Sequence, residues 1–586
     1  MVKQKMIPTI NPVSIINART NQSCSNPVCF FCIMKELDKP NRRDKLTKFF
    51  QNMPRINNKE IIFVLSGLWN TAIAQPDDPE LPSLGIFECM AKLIQKGVND
   101  RKWLLKDQNI YIPYYAAHII GSYTMNKPDF AETAVESGVI PPLMELLRGK
   151  LSWVEQRVAV RALGHLASYE ITFAAVAEYE EEVVKLAMNI SSTCLDLVYD
   201  TFVAIEDRRK RPIYHSELLS RGVGGMEIEN KKAEEWASQL QCWSIHLLNC
   251  FAYKERSLDL ICKPGYLQNL SSMWGGLMND VSPAGYGLIR ILCFSKYSRK
   301  IIAKEEDVIV SLANLSRSSD DWQYIGIECL LLLLKDTDTR YNVIDIAICC
   351  LVDLVELKSL RSSNGRSTIG QEIINSILLL DSIHDTKLKL MTDNTRASIE
   401  EVKLVIERRK REKLMSEENM EERKVLVNLT KQQGNRCFWS GHIQEAIIKY
   451  SEGLEFCPLK LRKQRTVLLS NRAQCHLVLK DPDSAIRDTT KALCLTTPPN
   501  SHSKSLWRRS QAYDMKGLAK ESLMDCIMFL NFCTKTNSKE YVKIPYHAAC
   551  MINKQMRATW LFNSRRLKPS NNQVQDVHTS DGDDSL

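Results

Sequence analysis

Between residues 426 and 535 the chain repeats itself, with small side chains returning at set intervals. Gly434 is followed by Ala446, Tyr450 and Pro458, at offsets of 12, 16 and 24. Ala473 leads Ala485, Ala492 and Pro498, and Ser510 leads Ser522, with Arg509, Ala512 and Tyr513 beside the first serine. The units start 39 and 37 residues apart (473 − 434 and 510 − 473). Small residues at such positions let paired helices approach closely, and Pro ends a helix because it lacks the N–H that would continue it. Gly434 makes the point most sharply. In the helix-like run KQQGN a glycine costs about 1 kcal/mol relative to Ala, so close packing has to require it. A helical hairpin of this length cannot bury its apolar face alone, and stacking copies solves the problem. The spacing predicts three helical pairs, closed by an amphipathic capping helix within 546–562.

Residues 60 to 395 carry a different helical pattern. In SWVEQRVAVRALGHLAS, Val158, Ala162, Leu163 and Leu166 share one face at i, i+4, i+5 and i+8. A shorter amphipathic helix precedes it, entered through Gly138, Ile140, Pro141 and Leu143 and ending near Leu147. Echoes follow in QCWSIHLLNCFA and YGLIRILCFSKYSRKII. Two polar stretches interrupt the pattern: QPDDPELPS (75–83), and 206–230 with the basic run Arg208 to Arg211. The second is expected to be a solvated loop, with a nuclear localisation signal as the sharper alternative.

The expected organisation is an irregular N-terminal arm over 1–55, an α-solenoid over 56–395, a charged exposed helix over 396–425, a second solenoid over 426–565 and a disordered tail over 566–586. The fold class is all-α, two helical-repeat solenoids in tandem. Only 23 Gly and 21 Pro in 586 residues support that class, since a β-rich chain needs more tight turns.

The formal net charge of +9 is unevenly placed. Residues 431–543 hold 19 Lys and Arg against 10 Asp and Glu, and 19 − 10 accounts for all of it. Such a segment calls for an anionic partner: nucleic acid, phospholipid or a carboxylate-rich peptide. Nucleic acid is not expected, because the cations are spread over repeat helices and loops rather than along a track of stacking aromatics.

The 19 cysteines lie mostly inside apolar runs, where a free thiol acts as a small hydrophobe. Cys24, Cys29 and Cys32 could begin a zinc site, but no fourth ligand is nearby, so no metal is expected. The start of the chain is polar and broken by Pro8 and Pro12, and no apolar run is long enough for a membrane span. The expected setting is the reducing cytoplasm, with the nucleus as the alternative. No Walker loop, HExxH or GxSxG appears, so neither an enzyme nor a cofactor is expected.

Helical spacing then picks out one face of the second solenoid. Lys431 and Asn435 share a side at i, i+4, as do Lys504 and Arg508, and Asn471 sits on the matching helix of the middle unit. Two Asn, two Lys and one Arg offer donors and positive charge without a carboxylate of their own. A free C-terminal carboxylate beside an Asp side chain suits such a set.

These features resemble known families. GVIPPLMELLR…AVRALGHLA is similar to an armadillo repeat. Peptide-holding armadillo repeats carry an Asn ladder; here the first such position is His165, and Asn249 occupies a later one. The repeat over 426–535 resembles the tetratricopeptide repeat. Lys431, Asn435, Asn471, Lys504 and Arg508, in KQQGN, SNRAQ and KSLWRR, match the carboxylate clamp of tetratricopeptide co-chaperones. The resemblance implies a non-enzymatic co-chaperone or adaptor. Its clamp would grip the acidic C-terminal peptide of heat shock protein 90 or 70, while the armadillo-like part holds an unidentified client. A myosin-directed chaperone family joins the same two repeat types in reverse order, so its client is not carried over. The alternative is an interaction scaffold in signalling or ubiquitination without chaperone docking.

Overall fold

The computed structural model describes residues 29–56, 60–220, 224–276, 284–320, 322–358, 368–381, 392–536 and 544–563. Among them every regular element is helical. The chain is an all-α repeat solenoid.

The first long helix, α1 (Lys39–Asn52), lies within the stretch expected to be irregular. Asp38 accepts the Asn41 N–H as N-cap, Pro40 occupies the first turn, and Leu46, Phe49 and Phe50 are buried at i, i+3 and i+4. The cap and proline are start signals that offset a polar composition. Cys29 is half-buried and Cys32 exposed, while Cys24 lies outside the described residues.

Four helices then build the early layers: α2 (Ile61–Ala74), α3 (Ile86–Asn99), α4 (Ile112–Thr124) and α5 (Pro128–Glu136). The short α6 (Ile140–Leu147) and longer α7 (Trp153–Ser168) follow, with Val158, Ala162, Leu163 and Leu166 all buried. α7 packs between α4 and the 28-residue α9 (Met226–Tyr253), which also receives α8 (Glu180–Val198). Further layers come from α10 (Ala284–Leu292), α11 (Glu306–Ser316), α12 (Trp322–Leu333) and α13 (Arg340–Val352). Cys89, Cys194, Cys262, Cys293 and Cys329 are buried free thiols in this core.

The two polar interruptions are more ordered than composition implied. Glu80 accepts from both ends of the Arg42 fork at 2.8–3.1 Å, tying the 75–83 stretch to α1. The basic run is not wholly solvated. Arg211 is 2% exposed, pairs with the buried Glu229 at 3.0 Å, and donates to the carbonyls of Ile205 and Val203.

The charged stretch expected as one exposed helix is two helices, α14 (Asp393–Lys413) and α15 (Glu417–Trp439). α14 packs on α13 and buries Ile399 and Val402, and Arg408 donates to the carbonyls of Leu454 and Cys457. The apolar positions are few but stand at i, i+3, which is enough to seat one face. A new cap at Ser416 starts α15.

The remaining helices stack as antiparallel neighbours: α15 on α16 (Ile443–Phe456), α17 (Arg462–Val478) on α18 (Pro482–Cys494), and α19 (Ser503–Met515) on α20 (Ala519–Thr536). α21 (Tyr546–Ala558) packs on α20. Ala446, Ala473, Ala485, Ala492, Ser510 and Ser522 are all buried, where the repeat spacing put close helix contacts.

An ionic seam joins the two repeat regions. Arg465 forms a two-pronged pair with Glu356; Arg487 and Lys491 meet Asp353 and Glu401; and Arg462 donates to the carbonyls of Cys494, Leu495 and Glu356. Part of the basic surplus therefore finds its anions within the chain. The end of the described chain also returns to the first region. Phe562 is buried 5.7 Å from the Tyr199 ring, and the Leu561 N–H donates to Glu234 at 3.3 Å.

Candidate functional site

The site begins with a glycine. A Cβ on Gly434 would lie 2.7 Å from Cε1 of Tyr450, so only hydrogen there lets α15 and α16 close up. That approach brings the Tyr450 hydroxyl to Asn435, to whose Oδ1 it donates at 2.7 Å. Asn471, on α17, donates its Nδ2 to the same oxygen at 3.2 Å. With Oδ1 engaged twice, the Asn435 amide is held with its NH2 left to donate. Tyr450 is 2% exposed, and burial pushes its phenol up to about 12, so it remains a neutral donor.

Arg508 extends the face from the third pair. Its Nε donates to Gln474 Oε1 at 3.0 Å and its Nη1 to Ser470 Oγ at 2.6 Å. Ser470 also accepts from Ser505 at 3.1 Å, and Ser505 meets His502 Nδ1 at 2.7 Å. Ser470 and Gln474 flank Asn471 on α17, so one helix orients both Asn435 and Arg508. Burial, with Arg508 and Lys504 nearby, holds His502 below its ordinary range.

Lys431 and Lys504 each stand one turn before their partner residues on α15 and α19. Lys431 is half-buried and donates to Asn428 at 3.1 Å; Lys504 is exposed. Among the described residues, Lys431, Lys504 and Arg508 form no salt bridge. Arg472 on α17 and Arg509 on α19 are different. Arg472 forks onto Asp488 at 2.6 and 2.7 Å, and the fully buried Arg509 onto Asp525 at 2.7 and 2.8 Å. Adjacent positions on a helix differ by about 100° in direction, so Arg509 faces the core and Arg508 the side of Ser470 and Gln474.

The structure thus joins Asn435 to Asn471 directly and ties Arg508 to Asn471's neighbours. Helix register sets Lys431 one turn before Asn435 and Lys504 one turn before Arg508, and no hydrogen bond joins either lysine to those residues among the described residues. Tyr450, Ser470 and Gln474, which orient the site, were not singled out from sequence. The i, i+4 spacing of Ser470 and Gln474 was the available signal.

Three arginines and one lysine of the charged segment, Arg462, Arg465, Arg487 and Lys491, belong to the seam instead. His165 is 5% exposed, its ring 5.1 Å from Trp243, with burial driving it down to about 3. Among the described residues no cluster of three metal-ligating side chains occurs, and no helix is long and apolar enough to cross a membrane.

Known proteins fit this architecture in pieces. The family described as Plant ARM repeat matches residues 21–263, less than half of the chain. Human "Tetratricopeptide repeat protein 12" is 43% identical over 72 residues, covering 12% of this chain and 10% of that protein. Rat "Dynein axonemal assembly factor 4" is 37% identical over 100 residues, covering 16% of this chain and 23% of its own length. Zebrafish "Protein unc-45 homolog B" is 25% identical over 138 residues, covering 23% of this chain and 14% of that protein. The chain spans a quarter or less of the length of these relatives. What the matches and the helices establish together is a helical-repeat protein, similar to the Plant ARM repeat family over residues 21–263 and to these curated proteins over short stretches.

Proposed function

We propose that this chain is a non-enzymatic adaptor whose second repeat region captures the acidic C-terminal peptide of a heat shock protein of the 90 or 70 class. The first region, on this reading, holds a client or partner. One observation carries it: Arg508 is tied to the helix that bears Asn471, Asn471 to Asn435, and neither Arg508 nor Lys431 and Lys504 forms a salt bridge among the described residues, while Arg472 and Arg509 do. A cationic face without counter-ions is suited to an incoming carboxylate.

The chemistry favours a chain end over an internal acid. A terminal Asp presents two carboxylates on one residue, enough for Arg508, the Asn435 NH2 and both lysines together. Charge-assisted hydrogen bonds contribute about 1.5–3 kcal/mol each. Three or four, less ordering costs, amount to about −8 kcal/mol, a micromolar affinity. Such a contact holds and releases. The seam through Asp353, Glu356 and Glu401 supports the adaptor part of the reading, since it couples the groove to the first region by several ion pairs. One relative is by its name an assembly factor, which suits a protein that holds one partner near another.

The test is calorimetric titration of the full chain with a peptide ending Glu-Glu-Val-Asp, as free acid and as C-terminal amide. The free acid should bind in the micromolar range and the amide far more weakly. Equal binding of the two peptides would overturn the reading.

A further inference from the structure

The first region carries a cationic face of its own, well away in sequence from the groove described above. Along α7, Arg157, Arg161 and His165 stand at i, i+4 and i+8, on one side of the helix. Rings from α9 lie against them. The Arg157 guanidinium is 3.9 Å from the centroid of Trp236, and that of Arg161 is 5.7 Å from Trp243. On the other flank, the Trp69 ring of α2 lies tilted, 4.7 Å from that of His118 of α4. Trp69, Trp236 and Trp243 are half-buried, so the strip remains open on one side.

Neither arginine forms a salt bridge among the described residues. Arg157 is 6% exposed; it donates to Gln239 Oε1 at 2.7 Å and to the Tyr114 hydroxyl at 3.3 Å, and its Nε is buried without an acceptor. Arg161 reaches only Met125 Sδ, at 3.6 Å, and its Nε is likewise buried and unpartnered. The acids whose charge Arg157 feels are engaged elsewhere: Glu155 accepts from Ser152 and Tyr214, and Glu235 from Lys232. The histidines add no charge, since burial holds His118, His165 and His246 below their ordinary range. Two other buried arginines are treated differently: Arg211 and Arg509 carry a carboxylate, from Glu229 and Asp525. Arg340, also buried without a salt bridge among the described residues, lies over the single ring of Tyr341 instead. Stacking on a ring offsets only part of the desolvation penalty of an ion taken from water.

We propose that this strip is the docking site for an acidic segment of a partner protein. A Glu or Asp carboxylate is received by the half-buried Arg161, with Arg157 adding its charge from beneath, and a neighbouring apolar or aromatic side chain lies against Trp243. Charge complementarity selects this occupant. The Arg161 guanidinium fork matches a planar carboxylate, a basic segment is repelled, and a nucleic acid would need a longer track of cations. The assignment goes beyond the chaperone-docking reading and stands or falls separately from it.

The experiment is fluorescence anisotropy of the full chain with a fluorescein-labelled, C-terminally amidated peptide of alternating Glu and Phe. Amidation removes the free carboxylate that the other groove requires, which keeps the two sites apart. The expected result is saturable binding, weakened about tenfold by Arg161→Gln and unchanged by Arg508→Gln. Absence of saturable binding, or equal loss in both variants, overturns the proposal. So does binding that appears only after residues 564–586 are removed, since the chain's own acidic end would then be the occupant. Should Arg161→Gln lower the melting temperature, the wild-type chain still decides: a Gln-Phe or Lys-Phe peptide that binds as well as the Glu-Phe peptide overturns the assignment.

Discussion

Replacing Gly434 with Ala tests whether one missing side chain assembles the groove. In an unconstrained helix the change would stabilise by about 1 kcal/mol. Here the new Cβ would lie 2.7, 2.9 and 3.1 Å from Cε1, Cδ1 and Cζ of Tyr450. Those atoms belong to a ring 2% exposed and anchored through its hydroxyl, so it cannot swing aside as the tip of a flexible chain would. Overpacking of this kind costs about 1–3 kcal/mol, so the propensity gain is cancelled and a net loss of about 1 kcal/mol is expected. The displaced ring also releases Asn435, and a lost hydrogen bond of about 0.5–1.5 kcal/mol should weaken peptide binding several-fold. Chemical denaturation followed by circular dichroism gives the first quantity, and titration with the free-acid peptide the second. Tyr450→Phe, which keeps the ring and removes the hydroxyl, should reproduce the binding loss without the packing loss. A Gly434→Ala chain that is more stable and binds normally would refute the reasoning.

Two adjacent arginines should behave as opposites. Arg509→Ala leaves Asp525 buried and unpaired and should cost about 3–5 kcal/mol, whereas Arg508→Ala should change the denaturation midpoint little while abolishing peptide binding. Acidification gives another signature. His118, His165 and His215 are buried and His246 half-buried, each with its folded-state pKa below the ordinary 6.5, to about 3 for His165 and about 4 for His215. The unfolded chain takes up protons below pH 6.5 that the folded chain refuses, so stability is greatest above that value and falls as pH drops toward 5. Each histidine that stays neutral contributes about 1.4 kcal/mol per pH unit to that fall. The buried Glu155, whose pKa is raised, acts in the opposite direction. Denaturation midpoints between pH 7 and 5 measure the slope, and His165→Gln should reduce it; an unchanged slope would contradict the assignment.

The helical class and the repeat phase were legible because each rests on local rules. Gly434, Ala446, Ala473 and Ala485 recur at intervals that only paired helices satisfy, and each is buried where the spacing required. The faces of Lys431, Asn435, Lys504 and Arg508 followed from i, i+4 geometry. What could not be read was anything fixed by distant residues. Arg462, Arg465, Arg487 and Lys491 look in sequence like the same basic surface as Lys504. Only the fold brings Asp353, Glu356 and Glu401, about a hundred residues upstream, against them. Arg211 looks solvated within its basic run until Glu229 is packed beside it. α1 was hidden for the opposite reason. Its Asp38–Pro40 start signal is local, but the polar average of the segment outweighs three buried side chains. Phe562 gave no warning of its seat near Tyr199, since a buried contact across more than 350 residues leaves no periodicity.

The central claim is that the groove recognises a free terminal carboxylate through Arg508 and its neighbours. A double-mutant cycle measures it directly, pairing Arg508→Gln with the change from free-acid to amidated peptide on the full chain. If the guanidinium and the terminal carboxylate meet, their coupling energy should be at least about 1.5 kcal/mol, with the amide binding wild type and variant alike. A coupling energy of zero, with free acid and amide losing equally on substitution, would contradict the account.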